Sequence, residues 1–299
     1  MKWFIFSIAA LLCWSFSDLF SKIGCADSKD KHSALKIVGV VMGLHAAYTL
    51  IFTDVDFTFQ TMLTYLPVSF LYISSMTIGY VGLRFIELSI SSPICNSSGS
   101  LASIISIITG MAVLVRAQYI AIALVAIGIV GLSIAEMTED DDLRAARQSK
   151  SNYKYTKSVL AILLPVIYCL LDALGSFADS LVLEKLDEDA ANTSYELTFL
   201  ICGILCFIYV KFIKKDKFFP KKEAPKYIGA AFETAGQFAY IYAIADSEHF
   251  ALSAPIISAY CAASVLWGRI FLKEKLSWKH YVCILLTVTG IVIMGVYDG

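Results

Sequence analysis

Apolar residues run along this chain in blocks, and the polar residues gather between the blocks. A helix needs about 20 predominantly apolar residues to cross a bilayer core. Ten segments approach that length: 3–22, 34–52, 62–82, 90–114, 118–136, 158–182, 195–213, 226–245, 251–271 and 279–297. The connections at 83–89, 115–117, 246–250 and 272–278 are short, so those neighbours are antiparallel hairpins. One connection, Thr138 to Thr156, is long and polar and separates two halves. The expected organisation is a first five-helix repeat at 1–137, a cytoplasmic linker at 138–157 and a second five-helix repeat at 158–299.

The halves resemble each other residue by residue. A shift of 162 positions carries Tyr80 onto Tyr242, Ser91 onto Ser253 and Pro93-Ile94 onto Pro255-Ile256. The same shift carries Tyr119 onto Tyr281 and Gly128-Ile129-Val130 onto Gly290-Ile291-Val292, without a gap. Upstream, a shift of 154 brings Trp14 and Asp18 onto Tyr168 and Asp172. Five spans per half is an odd number, so the second half must cross the bilayer in the opposite sense. The expected fold is an all-α membrane protein of ten transmembrane helices in two inverted five-helix repeats. Such repeats place a site at their shared interface near the midplane, and rocking exposes it to either side.

Composition agrees with a bilayer as solvent. Of 299 residues 58% are hydrophobic and 16% charged, against roughly 25% charged in soluble domains. The eight cysteines lie mostly inside apolar runs and lack the spacing of a zinc site or disulfide framework. Met1-Lys2 and the apolar run that follows read as a retained first span, because the run is too long for a signal peptide and no small-residue cleavage site follows. All but three of the 24 Lys and Arg, namely Lys2, Arg116 and Lys185, fall on one side of this topology. Positive loops stay cytoplasmic, so the protein is expected in the plasma (inner) membrane with both termini extracytoplasmic. The Lys211 to Lys226 cluster is then a topology determinant touching anionic lipid, and no nucleic-acid partner is expected.

Ten spans in inverted halves, each with a Ser-x-Pro-Ile start to its fourth helix, resemble the drug/metabolite transporter superfamily. The turn Phe271-Leu272-Lys273-Glu274-Lys275-Leu276-Ser277 and the helix Gly290-Ile291-Val292-Ile293-Met294-Gly295 resemble its EamA branch. Two departures stand out. Met111-Ala112-Val113 occupies the place equivalent to Lys273-Glu274-Lys275, and family members are usually drawn with cytoplasmic termini, the reverse of the charge distribution here. The resemblance covers the whole chain and implies transport of a small metabolite without ATP.

Intramembrane carboxylates cost ~2.5–3.5 kcal/mol each on insertion scales, so each needs a reason. Trp14 and Asp18 lie one turn apart on one helix face, and Tyr168 and Asp172 repeat the pair. A ring beside a carboxylate suits an organic ammonium, through cation–π attraction of ~0.5–2 kcal/mol and charge neutralisation. Asp18 has an alternative, an ion pair with Lys22; Asp172 has no basic residue three or four positions away. Glu233 lies ~10 Å into the eighth span at 1.5 Å per residue, with Gln237 and Tyr240 continuing one polar stripe. That stripe is expected to line the cavity, and Glu233 is the candidate for proton coupling or a second cation contact. A structural hydrogen bond to a neighbouring helix is the alternative.

Asn96 and Tyr260, in the small-residue fourth and ninth spans, are larger than close packing needs and are candidates to face the cavity. Pro93 and Pro255 are expected near helix starts, where the missing N–H has no partner. Asp179 and Glu184 are expected at the solvated end of the sixth span, Glu196 in the first turn of the seventh, and His45 alone and structural. Arg84 and Glu87 are a gate pair or a solvated loop. Tyr72, Tyr80, Tyr242 and Trp267 are cavity walls or interface-belt aromatics.

These observations favour a secondary transporter of a small polar metabolite, of which an ammonium compound is the expected kind. A multidrug or lipophilic-cation exporter and a lipid flippase are the alternatives. An enzyme is not expected, since no His-x-x-x-His, Gly-x-Ser-x-Gly or Gly-x-x-x-x-Gly-Lys occurs. No cofactor or metal is expected; the partners are a small-molecule substrate and the lipid bilayer, with the chain a monomer or homodimer.

Overall fold

The computed structural model describes residues 2–26, 33–82, 94–138, 159–215, 223–273 and 276–297. Its first half holds helices α1 (Lys2–Ala26), α2 (Ser33–Phe52), α3 (Phe59–Gly82), α4 (Ser98–Ile108) and α5 (Arg116–Met137). The second half holds α6 (Val159–Leu183), α7 (Glu188–Ile208), α8 (Ala224–Ile244), α9 (Phe250–Ser258), α10 (Tyr260–Phe271) and α11 (Trp278–Val296). A π-helical turn, Tyr209–Ile213, prolongs α7. Helices α9 and α10 form one span, so the fold is the expected ten-span, all-α membrane architecture. Seven of these spans are long and apolar enough to cross a membrane by length and composition. Large apolar side chains such as Phe70, Ile108, Val113 and Leu285 face outward, whereas Ser7, Ser69, Ser103 and Thr193 are fully buried. Lipid is a solvent that cannot satisfy polar groups, so they turn inward.

Packing follows the repeat. Helix α1 lies against α8, and its counterpart α6 lies against α3; α2 pairs with α7, α4 with α9 and α5 with α11. Every one of these seams joins one half to the other. The seam between α5 and α11 shows the two-fold relation at atomic scale. A Cβ on Gly128 would collide with Thr287 and with Cys283 O, and one on Gly290 with Ala121 O and Val125. A shift of 162 converts the first set of contacts into the second. Glycine at both positions lets the two backbones touch.

Two spans are interrupted at equivalent places. The fourth is helical at 94–96, turns at Ser97 and resumes as α4; the ninth turns at Ala259. These two residues are themselves 162 positions apart. In the ninth span Pro255 lies inside α9 rather than at its start, which corrects the sequence expectation. Proline cannot donate to the carbonyl four residues back. Ser103 of α4 supplies the missing donor, its Oγ lying 2.8 Å from Ala251 O.

Two span limits also differ from the apolar pattern. Helix α4 stops at Ile108 because Gly110 takes a left-handed φ of 78°, and Met111 N–H closes back on Ser106 O at 3.0 Å. That is a Schellman-type stop, which apolar composition alone does not reveal. Helix α7 starts seven residues earlier than expected, at Glu188, because Asp187 caps it and accepts from the N–H groups of Asp189 and Ala190. Ala190 through Glu196 are all buried, so this polar stretch is interior helix.

Candidate functional site

Between the halves lies a cavity of about 710 Å³, counted with its open mouth. The first half contributes Trp14 and Asp18 from α1, Tyr72 and Met76 from α3, and Asn96, Ser98 and Gly99 around the Ser97 break. From the second half come Tyr168, Asp172 and Ser176 on α6, Tyr195 on α7, and Glu233, Gln237 and Tyr240 on α8. Ala254, Ile257, Ser258 and Tyr260 surround the Ala259 break. All nine candidates named from the sequence (Trp14, Asp18, Asn96, Tyr168, Asp172, Glu233, Gln237, Tyr240 and Tyr260) are therefore on its wall.

The carboxylates are held by hydroxyls. Ser98 donates to Asp172 Oδ2 at 2.6 Å, and Ser264 of α10 donates to Asp18 Oδ2 at 3.0 Å. Each acid thus takes its serine from the interrupted span of the other repeat. Ser17 hydrogen-bonds Glu233. Asp18 and Asp172 are both near enough to Glu233 to interact with it electrostatically. The described lining contains three carboxylates and no Lys, Arg or His.

Aromatic rings complete the wall. Trp14 lies 5.3 Å from Tyr240 and 5.9 Å from Tyr260, centroid to centroid. Its position depends on Gly236, where any Cβ would collide with the indole. Tyr72 and Tyr240 share a hydrogen bond between their hydroxyls, joining α3 to α8. Trp14 Nε1 and Gln237 Nε2 are buried without a hydrogen-bond partner.

Several sequence expectations need correction. Asp179 is not at a solvated helix end: it is fully buried and accepts from Tyr65 at 2.7 Å and Tyr72 at 3.2 Å. Glu184, in contrast, is exposed as expected. Glu196 is not in the first turn, which carries Glu188 and Asp189; it is fully buried in α7. His45 is not alone either, since its Nδ1 meets the Glu196 carboxylate at 2.8 and 3.0 Å. Asn192 adds a 3.1 Å bond to the same carboxylate. Of the four aromatics left open, Tyr72 is a cavity wall. Tyr242 donates to Asp189, and Trp267 donates to Ser15. Arg84, Glu87, Pro93, the 139–158 segment and the side chains of Lys22 and Tyr80 lie outside the described residues.

Sequence reasoning missed some lining residues, and a signal existed for part of them. Ser176 follows Asp172 by one turn, and Met76 follows Tyr72 by one turn, so each shares a helix face with a recognisable polar or aromatic residue. Tyr195 carried no such signal, because it stood at the expected first residue of the seventh span, preceded by residues read as a connection.

Ten spans in inverted halves closing on a polar chamber are the architecture of alternating-access membrane transporters. Residues 159–296, the second half of the chain, match the model of the EamA-like transporter family. A solved structure titled only as the crystal structure of a protein shares the fold, with a TM-score of 0.72 over 98% of this chain and 96% of its own, at 14% identity. No curated protein matches the chain.

Proposed function

We propose that this protein is a secondary active transporter that moves a small ammonium-bearing metabolite across the plasma membrane by alternating access. One observation carries the reading: the cavity gathers three carboxylates and a set of aromatic rings from both repeats, with no basic residue among its described lining. Such a site compensates a positive charge through ring faces and carboxylates together, which a neutral solute would not require. Trp14, Asp18, Asn96, Tyr168, Asp172, Gln237, Tyr240 and Tyr260 are the proposed substrate contacts, and Glu233 is the proposed proton-coupling acid. One chain encloses the whole cavity, which supports transport by a single protomer. The Lys and Arg distribution supports extracytoplasmic termini, an orientation that tagging both ends would test.

The test is thermal stabilisation of the purified protein by a panel of amines, amino acids, sugars and lipids. Ammonium compounds raise the melting temperature of the wild type, and Asp172→Asn erases the shift. Stabilisation by sugars alone, or by phospholipid headgroups alone, overturns the reading.

A further inference from the structure

Asp179 is absent from the cavity lining but is connected to it. The residue is fully buried two turns beyond Asp172 on α6, and both of its carboxyl oxygens are engaged. Tyr65 reaches Oδ1 at 2.7 Å and Tyr72 reaches Oδ2 at 3.2 Å. The Tyr72 hydroxyl also bonds the Tyr240 hydroxyl and lies 3.3 Å from Ser176 Oγ. Tyr72, Tyr240 and Ser176 all line the cavity. A continuous series of hydroxyls therefore runs from the chamber to a carboxyl behind its wall.

Proton counting makes this arrangement sensitive to one proton. A tyrosine has a single hydrogen to donate. If Tyr240 donates to Tyr72 while Tyr72 and Tyr65 donate to Asp179, all three tyrosine hydrogens are used and the carboxyl donates nothing. A carboxylic acid at the same place must itself donate, so one tyrosine hydroxyl has to reverse or turn away. Tyr65 and Tyr72 belong to α3, Asp179 to α6 and Tyr240 to α8, so the change falls on contacts between the repeats. The other ionisable groups facing this cluster are Tyr195 of α7, edge-on to Tyr72 at 6.0 Å, and Asp172 on the same helix. Only Tyr65 and Tyr72 hydrogen-bond the carboxyl, with no basic partner among the described residues.

We infer that Asp179 is a proton-binding site separate from the cavity acids, filled and emptied through the Tyr72 and Tyr240 hydroxyls, and that its occupancy sets the contacts of α3 with α6 and with α8. A proton from cavity water passes to Tyr240, Tyr240 gives its own to Tyr72, and Tyr72 gives its own to Asp179; the return path reverses each transfer. A metal cation would need further ligating side chains beside the carboxyl, and among the described residues no group of three or more His, Cys, Asp or Glu comes together to hold one. The consequence for transport rests on the transporter reading, but proton binding itself does not.

Infrared difference spectra of the purified full-length protein across a pH series test this without any substrate. A carboxylic C=O band appears on acidification; it is lost in Asp179→Asn and kept in Asp172→Asn and Glu233→Gln. Retention of every carboxylic band in Asp179→Asn overturns the inference. If that variant does not fold, Tyr65→Phe and Tyr72→Phe decide: removal of a hydroxyl moves one band in frequency, whereas unchanged spectra in both overturn the assignment. An ammonium panel without effect would leave this result standing, so the two readings fail separately.

Discussion

Ser98, the first residue of α4 after the turn at Ser97, donates a 2.6 Å hydrogen bond to Asp172 of the opposite repeat. A second contact, Ser264 to Asp18 at 3.0 Å, ties the other interrupted span to the other acid, one turn further along than the equivalent of Ser98. Ser98 directly follows the first interruption, and Ser264 lies one turn into the helix that follows the second. Half-helices of this kind serve ion and substrate sites elsewhere in membrane transporters.

Replacing Ser98 by Ala should therefore weaken binding of ammonium compounds without abolishing the fold. A hydrogen bond to a charged group contributes about 1.5–3 kcal/mol, roughly a ten- to hundredfold change in Kd. Ser264→Ala should act in the same direction through Asp18. Calorimetric titration with the amine that stabilises the wild type most reads both effects. Unchanged affinity in both variants would mean that the serines only pack.

Gly99 should tolerate no side chain. Its missing Cβ is where Ser258 Oγ and Ala254 O of the facing helix sit, and a backbone carbonyl cannot move aside cheaply. Overpacking of this sort costs typically 1–3 kcal/mol. Gly110→Ala is the control, since nothing lies within 4 Å of that Cβ and only the φ of 78° opposes it. Melting in detergent should show Gly99→Ala losing more stability than Gly110→Ala. The reverse order would argue that the α4–α9 crossing is loose.

Much of this architecture was legible in the sequence because a bilayer imposes simple rules. Apolar block lengths gave the spans, and the shift of 162 gave the pseudo-symmetry that reappears at Gly128 and Gly290. The acids and rings on the cavity wall were legible for a related reason: a charged or amide side chain in the middle of a span has few other places to go. What stayed hidden depends on partners far apart in the chain. Asp179 looked interfacial because it lies near a helix end, and only the docking of α3 supplies Tyr65 and Tyr72 to it. Glu196 looked like a helix-start acid because the preceding polar residues suggested a loop. Tertiary packing instead extended α7 backwards by two turns and buried them.

Trp14 offers a test of how the positive charge is held. Its ring lies between Tyr240 and Tyr260 on the cavity wall, the place where an indole face can meet an ammonium group. Trp14→Ala should reduce affinity for quaternary ammonium compounds by ~0.5–2 kcal/mol, and Trp14→Phe by less, because indole is the strongest of the three ring types. Neutral isosteres of the same shape should lose little in either variant. Equal losses for charged and neutral compounds would assign Trp14 to shape alone.

The His45–Glu196 pair binds α2 to α7 through a carboxylate that is fully buried and an imidazole that is 33% exposed. Deleting one partner of a fully buried pair costs about 3–5 kcal/mol, because the remaining charge is left uncompensated. The exposure of His45 lowers that figure, and Asn192 still donates to Glu196, so His45→Ala should cost about 2 kcal/mol. Glu196→Gln removes the charge that His45 was compensating. Combined with His45→Ala, it should therefore recover part of the loss, making the double variant more stable than the sum of the single effects. Equilibrium unfolding of the three variants in detergent measures this directly. Strict additivity would show that the two side chains stabilise α2 and α7 independently, by packing, and that their 2.8 Å contact contributes nothing of its own.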